Sequence, residues 1–208
     1  MIGDPLKQLE AEMARVYERT APYRVQIPVG ERGPWKVETF EIPRLDLECL
    51  RAWRDGRAVA PGWYTRLLHK QHGVVMSDTP AELNDFIPYV RRFSGRVLVT
   101  GLGLGVVLQA ILRQSGVEHV TVVEGDADVA ALTWPVFADN SRCSLAVADA
   151  YEWKPPKGAR FDHAWHDIWN DLCTENLPLM GKMRRHYKRY VAAGEQHCWG
   201  EHYLRRRA

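Results

Sequence analysis

The sequence lacks the patterns that would assign it to a secreted, membrane-spanning or metal-binding class. Its four cysteines stand singly, without the paired spacing of a disulfide framework or a metal motif. No stretch approaches about 18 uninterrupted apolar residues, and the first residues alternate charged with apolar side chains, unlike the core of a signal peptide. We therefore expect a cytoplasmic protein with reduced thiols and no membrane partner.

Net charge is also small, at +2, but it is unevenly distributed. From Leu179 to the last residue the chain carries eight Lys and Arg side chains against two Glu. A basic end of this kind can contact a nucleic acid or another anionic partner. A solvated helix face followed by a tail is the more common origin of such a cluster. A nucleic-acid partner for this C-terminal segment is therefore not favoured.

The pattern of apolar residues changes near Arg96. The preceding part predicts a helix over residues 4–20 with Asp4 as N-cap, a strand over 37–42, a helix over 44–56, a hairpin over 63–77 and a helix from Pro80. Pro88 should interrupt or kink that last helix. We expect residues 1–78 to form a small N-terminal α+β extension and residues 79–208 to form the main domain.

From Arg96 onward, apolar strands alternate with helices. Strands are predicted over residues 96–100, 119–124, 143–149, 161–167 and 195–201, with helices over 105–115, 127–137 and 176–191. This alternation predicts an α/β fold with a Rossmann-like, doubly wound parallel sheet, truncated after strand five. The fifth strand would then be an open edge, which predicts a homodimer unless the C-terminal segment covers it.

Three glycines occupy alternate positions where the first of these strands gives way to a helix. Gly101, Gly103 and Gly105 lack side chains there, which would let a ligand approach the backbone and the positive end of the helix. A dinucleotide fingerprint would need a third Gly or Ala at Val106 or Leu108, so that pattern does not fit. No Gly-Lys-Ser/Thr follows, which excludes a phosphate-binding P-loop.

Polar residues follow the next three strands. Glu124 ends the second strand, where a carboxylate can accept both ribose hydroxyls of a nucleoside lying over the glycine turn; a surface Glu is the alternative. Asp149 ends the third strand, where it can accept a hydrogen bond from an adenine amino group, and Ala150 leaves room for the ring. A turn Asp is the alternative. The fourth strand ends in the sequence that holds His166, Asp167, Trp169 and Asp171, where the reactive end of the ligand is expected.

The pattern Gly101-x-Gly103-x-Gly105 resembles the S-adenosylmethionine-binding turn of the class I methyltransferase fold. From about Gly73 to Glu201 the chain is similar to the polyamine aminopropyltransferases, the spermidine synthase family. "RVLVTGLGLG" is similar to that family's "RVLIIGGGDG", "VTVVEGDADV" to "VTLVEIDPxV", "ADAYEW" to "GDGFEF", and "FDHAWHDIWND" to "YDVIIVDSTDP". The resemblance implies that Glu124 binds ribose, that Asp149 binds adenine and that Asp167 accepts a proton.

The acceptor side departs from the family's pattern. In the family a Tyr-His-Glu follows an acidic-Phe-Ile sequence, whereas Pro88 and Tyr89 follow Ile87 here. The expected function is an S-adenosylmethionine-dependent transferase, in the first place a methyltransferase for a small-molecule acceptor that the sequence does not identify. A spermidine synthase-like aminopropyltransferase and a non-catalytic adenosyl-binding protein stay open as alternatives. The expected cofactor is S-adenosylmethionine, or S-adenosylhomocysteine as bound product.

Asp167 is the first candidate for a catalytic base, His166 the second and Asp171 the third. His166 and Asp167 should point to opposite faces of their strand, so only one of them can face the ligand. Trp169 can close over the cationic methionine end through a cation–π contact, or pack beneath the loop. No metal is expected, because the spacing of the histidines at 163, 166, 197 and 202 matches no known ligand set. Tyr64 and Asp78 are expected near the acceptor.

Overall fold

The computed structural model describes residues 5–43 and 59–206 of the chain. Its helices are α1 (Pro5–Thr20), α2 (Pro80–Val90), α3 (Val106–Leu112), α4 (Ala127–Thr133), α5 (Asn176–Tyr187) and α6 (Glu201–Leu204). Its strands are β1 (Gly30–Arg32), β2 (Trp35–Ile42), β3 (Gly62–His69), β4 (Gly73–Ser77), β5 (Gly95–Thr100), β6 (Val117–Glu124), β7 (Cys143–Val147), β8 (His163–His166) and β9 (Gln196–Cys198). The helix predicted over 44–56, the N-cap Asp4 and Cys49 lie outside the described residues.

The strands form two sheets. The first four pair antiparallel in the order β1-β2-β3-β4, and the last five pair parallel in the order β7-β6-β5-β8-β9. The chain therefore enters the parallel sheet at its centre, runs outward to β7 and then crosses to the other side of β5. This is the predicted Rossmann-like, doubly wound arrangement, and ligands in such sheets bind where the strand order reverses, here between β5 and β8.

Both faces of the parallel sheet are covered by apolar side chains. Along β5, Val97 and Val99 belong to a core that includes α2, α3 and the antiparallel sheet, while Leu98 belongs to a second core. In that second core Met180 and Met183 of α5 are fully buried. A sheet covered on both faces needs apolar residues at successive positions, which explains the near-continuous apolar runs of its strands.

Two details of the fold differ from the sequence expectation or go beyond it. The interruption expected at Pro88 is wrong, because α2 continues to Val90 with Pro88 exposed in its last turn. Proline at this position removes the hydrogen bond to the Asn84 carbonyl, and the burial of Phe86 and Val90 on either side of it stabilises the helix nevertheless. Strand β1 was not predicted, since it has only three residues. The predicted division at residues 78 and 79 falls between β4 and α2 and remains a prediction.

Within the described residues, no helix is long and apolar enough to span a membrane. The cysteines at 143, 173 and 198 are free thiols.

Candidate functional site

A cavity of about 440 Å³ lies at the carboxyl ends of the central parallel strands. This volume falls in the range of small-molecule sites. Its wall combines the ends of β5, β6, β7 and β8 with the β3–β4 hairpin, the start of α2 and a side chain that follows β9. Its lining residues include Trp35, His69, His72, Met76, Glu82, Phe86, Gly101, Leu102, Gly103, Glu124, Asp149, Ala150, Asp167, Trp169 and Trp199.

The glycine turn lies on the floor of this cavity, where Gly101 and Gly103 line it and Gly105 does not. All three have positive φ angles. A Cβ added to Gly101 would come within 1.9 Å of the carbonyl oxygen of Asp167, and one added to Gly105 within 2.5 Å of the Phe137 ring. The absent side chains at Gly101 and Gly105 therefore make room for other parts of the protein, and a close approach of a ligand to the turn remains a prediction.

Glu124 is held at the end of β6 by two backbone N–H groups. The amide of Leu102, in the glycine turn, donates to Oε2 at 2.7 Å, and the amide of Asp126 donates to Oε1 at 2.8 Å. The side chain is 91% buried, with 9% exposed, and it lines the cavity. Each carboxylate oxygen can accept more than one hydrogen bond, so Glu124 can still receive two donors from a ligand.

Asp149 and Ala150 follow β7 at the neighbouring part of the wall. Oδ1 of Asp149 accepts a hydrogen bond from the Tyr151 amide at 2.7 Å. The residue is exposed and lines the cavity. Ala150 is buried and its carbonyl accepts the Tyr187 hydroxyl at 2.7 Å. A turn aspartate with a remaining free oxygen beside a small residue is compatible with a planar base carrying an amino group.

Asp167 follows β8 and reaches the cavity next to the glycine turn. Its amide donates to the Thr100 carbonyl at 2.8 Å, which fixes the start of the loop after β8. Burial raises the pKa of the Asp167 carboxyl to about 7, and the negative charges of Glu82, Asp85 and Glu124 act in the same direction. A carboxyl with a pKa near neutrality can accept a proton from a substrate and release it to water.

His166 points away from the cavity, as the alternation along a strand requires. It is fully buried, with Nδ1 at 3.0 Å from the Thr100 hydroxyl and Nε2 at 3.1 Å from Oε1 of Gln196. Its ring stacks on Tyr187, and burial lowers its pKa to about 4. The candidacy of His166 as a catalytic base is therefore wrong, because both ring nitrogens are engaged in the core and neither reaches the cavity.

Asp171 also does not reach the cavity. It is exposed, and its Oδ1 is 3.3 Å from Nδ2 of Asn176, a hydrogen bond that holds the loop before α5. Its expected role as a third catalytic candidate is corrected accordingly. Trp169, in contrast, lines the cavity, is 8% exposed, and has a buried Nε1 without a hydrogen-bond partner among the described residues.

The opposite wall contains aromatic residues that sequence reasoning missed. Trp35 donates from Nε1 to Oδ2 of Asp126 at 2.7 Å, which ties β2 to the N-cap of α4. His69 packs edge-on against Trp35 and stacks on His72, with ring centroids 4.6 Å apart in the stacked pair. Trp35 comes from β2 and the two histidines from the β3–β4 hairpin, and only their placement near the cavity in three dimensions identifies them.

Two further residues complete that wall. Glu82 accepts hydrogen bonds from the amide of Ser77 at 2.8 Å and from its hydroxyl at 2.6 Å, and these bonds join the end of β4 to α2. Trp199 enters from the segment after β9. Tyr64 and Asp78, expected near the acceptor, are buried beneath the antiparallel sheet instead, where they bond to Ala60 and to the Thr65 amide.

The charge of the cavity has one sign. Glu82, Glu124, Asp149 and Asp167 line it, and no Lys or Arg is present among the described lining residues. Such a surface favours ligands that carry positive charge.

No three His, Cys, Asp or Glu side chains in residues 5–43 and 59–206 are grouped as a metal site would require. Of the four histidines weighed as zinc ligands, His163 bonds to Glu195 and stacks on Phe93.

Comparison with known proteins leaves the family open. No protein-family model and no curated protein matches the chain. Among solved structures, an S-adenosylmethionine-dependent methyltransferase from Clostridium acetobutylicum is 12% identical, over 48% of this chain and 39% of its own, with a TM-score of 0.37. Spermidine synthase from Thermotoga maritima is 18% identical, over 62% and 49%, with a TM-score of 0.40. The N-methyltransferase NodS from Bradyrhizobium japonicum is 14% identical, over 49% and 54%, with a TM-score of 0.39.

These alignments span about half of the solved chains or less. The assignment of the fold therefore depends on the strand order and on the position of the cavity at its reversal. On that basis the chain has a Rossmann-like, doubly wound fold.

Proposed function

We propose that the chain binds S-adenosylmethionine in this cavity and transfers its methyl group to a small-molecule acceptor. One observation carries the proposal: the glycine turn, Glu124, the Asp149–Ala150 pair and Asp167 all line a single cavity of suitable volume. These four features come from the ends of four different strands, and only this fold brings them together.

The residues present fit an adenosyl ligand. Glu124 would take the ribose hydroxyls with the acceptor capacity left after its two backbone bonds. Asp149 would take the adenine amino group, with Ala150 beside the ring. The buried Nε1 of Trp169 lacks a partner among the described residues, and a ligand atom would satisfy it.

When bound, S-adenosylmethionine supplies a carbon that its neighbouring sulfonium activates toward displacement. The chain contributes position, exclusion of water and a proton acceptor. Trp35, Trp169 and Trp199 enclose the cavity, and holding the acceptor in line can contribute several kcal/mol. Asp167 would remove the proton of an amine or hydroxyl acceptor, and its pKa near 7 suits that task at neutral pH.

A second candidate, aminopropyl transfer, is favoured by the charge of the cavity. Four carboxylates and no Lys or Arg among its described lining residues suit a cationic acceptor such as a polyamine. A panel of polyamines assayed with decarboxylated S-adenosylmethionine separates this reaction from methyl transfer. The remaining alternative is an adenosyl-binding protein without activity.

The test is calorimetric titration with S-adenosylmethionine and S-adenosylhomocysteine. We expect dissociation constants of about 1–100 μM for the wild type. Glu124→Ala should weaken binding at least about tenfold, because a charge-assisted hydrogen bond contributes about 1.5–3 kcal/mol. Asp171→Ala is the matched control: it also removes a carboxylate of the domain, but one outside the cavity, and it should bind like the wild type.

Absence of wild-type binding at about millimolar ligand would refute the proposal. Asp167→Asn distinguishes enzyme from binder: it should retain the cofactor but transfer at least about a hundredfold more slowly. Binding without transfer to any acceptor tested would support the non-catalytic alternative.

A further inference from the structure

A second groove, of about 760 Å³, lies at the opposite end of the parallel sheet from the cavity. It is formed where the central strands begin, with Arg96 from β5, His119 from β6 and Ser144 from β7. Its other wall is the segment 153–161, which connects β7 to β8 without a helix. The adenosyl site proposed above uses none of these residues.

The groove is basic. Arg96, Lys154, Lys157 and Arg160 line it, all four are exposed, and no Asp or Glu occurs among its described lining residues. In the part of the chain that the structure describes, none of the four forms an ion pair with a carboxylate. Burial lowers the pKa of His119 in the same groove, and the positive charge of Arg96 lowers it further.

Carboxylates do lie near the groove along the chain. Asp162 accepts the backbone amide of Arg96 at 2.7 Å, and Glu118 and Glu152 are exposed neighbours of His119 and Trp153. None of these three acidic residues lines the groove. Its lining therefore presents uncompensated positive charge.

The groove also has an aromatic side chain and a basic extension. Trp153 lines it, and the carbonyl of Trp153 accepts a hydrogen bond from Nε2 of His186 on α5 at 2.8 Å. Phe161, at the other end of the segment, exchanges backbone hydrogen bonds with residues just after α5. The segment 153–161 is thus hydrogen-bonded to α5 and to the residues just after it. The exposed side chains at the C-terminal end of α5 and just beyond it are Arg185, Lys188 and Arg189.

We propose that this groove binds single-stranded nucleic acid, with phosphates held by Lys154, Lys157, Arg160 and Arg96 and a base stacked on Trp153. Basic grooves that follow a phosphodiester backbone, combined with aromatic side chains on which bases stack, are the recurring means of binding single strands. Four basic side chains, one from β5 and three from the segment 153–161, line the groove, which suits an extended polyanion better than one phosphate group. The basic C-terminal segment did not favour nucleic acid, since a solvated helix face is the more common origin of such a cluster. The groove is a separate feature, assembled from distant parts of the sequence.

The test is fluorescence anisotropy with labelled oligo-uridine and oligo-thymidine of about 12 nucleotides at low salt. The charge reversal Lys154→Glu with Lys157→Glu should weaken binding at least about tenfold and reduce the slope of log affinity against log salt by about one. Arg15→Glu with Arg19→Glu changes net charge equally at exposed positions on α1. That control should stay within about twofold of the wild type.

Trp153→Leu should weaken binding about fivefold without changing the salt slope, since it removes stacking and not charge. Circular dichroism and calorimetric binding of S-adenosylmethionine, measured on each variant, report whether the fold is intact. The charge-reversed variant, Lys154→Glu with Lys157→Glu, tests nucleic-acid binding in the groove even if Trp153→Leu does not fold.

Three outcomes would overturn the proposal. The wild type could fail to bind either oligonucleotide at low salt. The two double variants could weaken binding equally, which would mean that net charge alone is responsible. Inorganic phosphate could displace the oligonucleotide as effectively as unlabelled oligonucleotide at equal phosphate concentration, which would mean that the groove holds a single anion.

Discussion

His166 and Asp167 are adjacent in sequence, yet burial moves their pKa values in opposite directions. The imidazole of His166 has its pKa lowered to about 4, and the carboxyl of Asp167 has its pKa raised to about 7. In both cases the low-dielectric surroundings disfavour the charged form, which is the protonated state for histidine and the deprotonated state for aspartate. Between these two pH values both side chains are neutral in the folded protein.

The stability of the protein should therefore contain two opposing pH dependences. Unfolded His166 binds a proton below about pH 6.5, whereas the folded residue does so only near pH 4, so its contribution to stability is lost as the pH falls through this window. Folded Asp167 keeps its proton up to about pH 7, whereas the unfolded residue releases it near pH 4. Its contribution to stability is lost as the pH rises.

Asp167→Asn should remove the pH dependence that comes from Asp167 and leave the one that comes from His166. We expect the free energy of unfolding of the variant, relative to that of the wild type, to rise by about 2 kcal/mol between about pH 5 and pH 8. The figure is less than the full shift implies, because the carboxyl is partly exposed. Urea unfolding of both proteins across this range measures it. Parallel pH profiles would mean that Asp167 titrates normally.

At the scale of elements, the turn between β5 and α3 is constrained by what surrounds each glycine. Gly101 faces a backbone carbonyl and Gly105 an aromatic ring, whereas Gly103 faces the flexible end of Met76. A flexible side chain can move aside more easily than the Asp167 carbonyl, which belongs to backbone held by the bond of the Asp167 amide to Thr100. The three positions therefore differ in their tolerance of a methyl group although they are equivalent in the sequence motif.

Alanine substitutions should rank in that order. We expect Gly101→Ala to cost about 3 kcal/mol or more, Gly105→Ala about 2–3 and Gly103→Ala about 1–2. Gly194→Ala is the control, because Gly194 has a φ of +83° but open space around it, and it should show the backbone cost alone. Adding Phe137→Leu should recover part of the loss in Gly105→Ala and none in Gly101→Ala. Equal costs at all positions, measured by chemical denaturation, would contradict this account.

The elements of the parallel sheet were predictable because each is specified locally. The apolar runs indicated the strands, and the helix after β6 is capped locally by Asp126 through the amides of Asp128 and Val129. The site was only partly predictable. Strand alternation correctly separated His166 from Asp167, but which of them faced the cavity depended on packing against Tyr187, which lies elsewhere in the sequence.

The rest of the site depends on contacts between distant parts of the chain. Trp35 is placed by its bond to Asp126, 91 residues further along the chain, and no local pattern around Trp35 signals this contact. For the same reason the second groove could not be recognised from charge counts, since Arg96 and Lys157 meet only in the folded sheet.

For the molecule as a whole, Asp85 connects two parts that are far apart in sequence. It is 2% exposed on α2 and accepts hydrogen bonds from Nε1 of Trp199 at 3.3 Å and from the Tyr203 hydroxyl at 3.1 Å. Trp199 in turn lines the cavity. The carboxylate thus holds the segment after β9 against α2, which supplies Glu82 to the same wall.

Asp85→Ala should loosen this connection. We expect a loss of about 2 kcal/mol of unfolding free energy, because two donors lose a charged acceptor, and weaker cofactor binding because Trp199 is no longer held. Tyr203→Phe removes one of the two bonds and should cost about 1 kcal/mol with cofactor affinity unchanged. Chemical denaturation and calorimetry measure both effects. Wild-type stability in Asp85→Ala would show that the two hydrogen bonds contribute nothing.

The same connection has a consequence during synthesis of the protein. On the ribosome, Asp85 emerges well before Trp199 and Tyr203, which lie more than a hundred residues further along the chain, and the glycine turn also precedes them. Until they arrive, the cavity lacks one wall and the carboxylate of Asp85 lacks these two partners. The nascent chain must therefore complete most of its parallel sheet before a ligand can help to stabilise it.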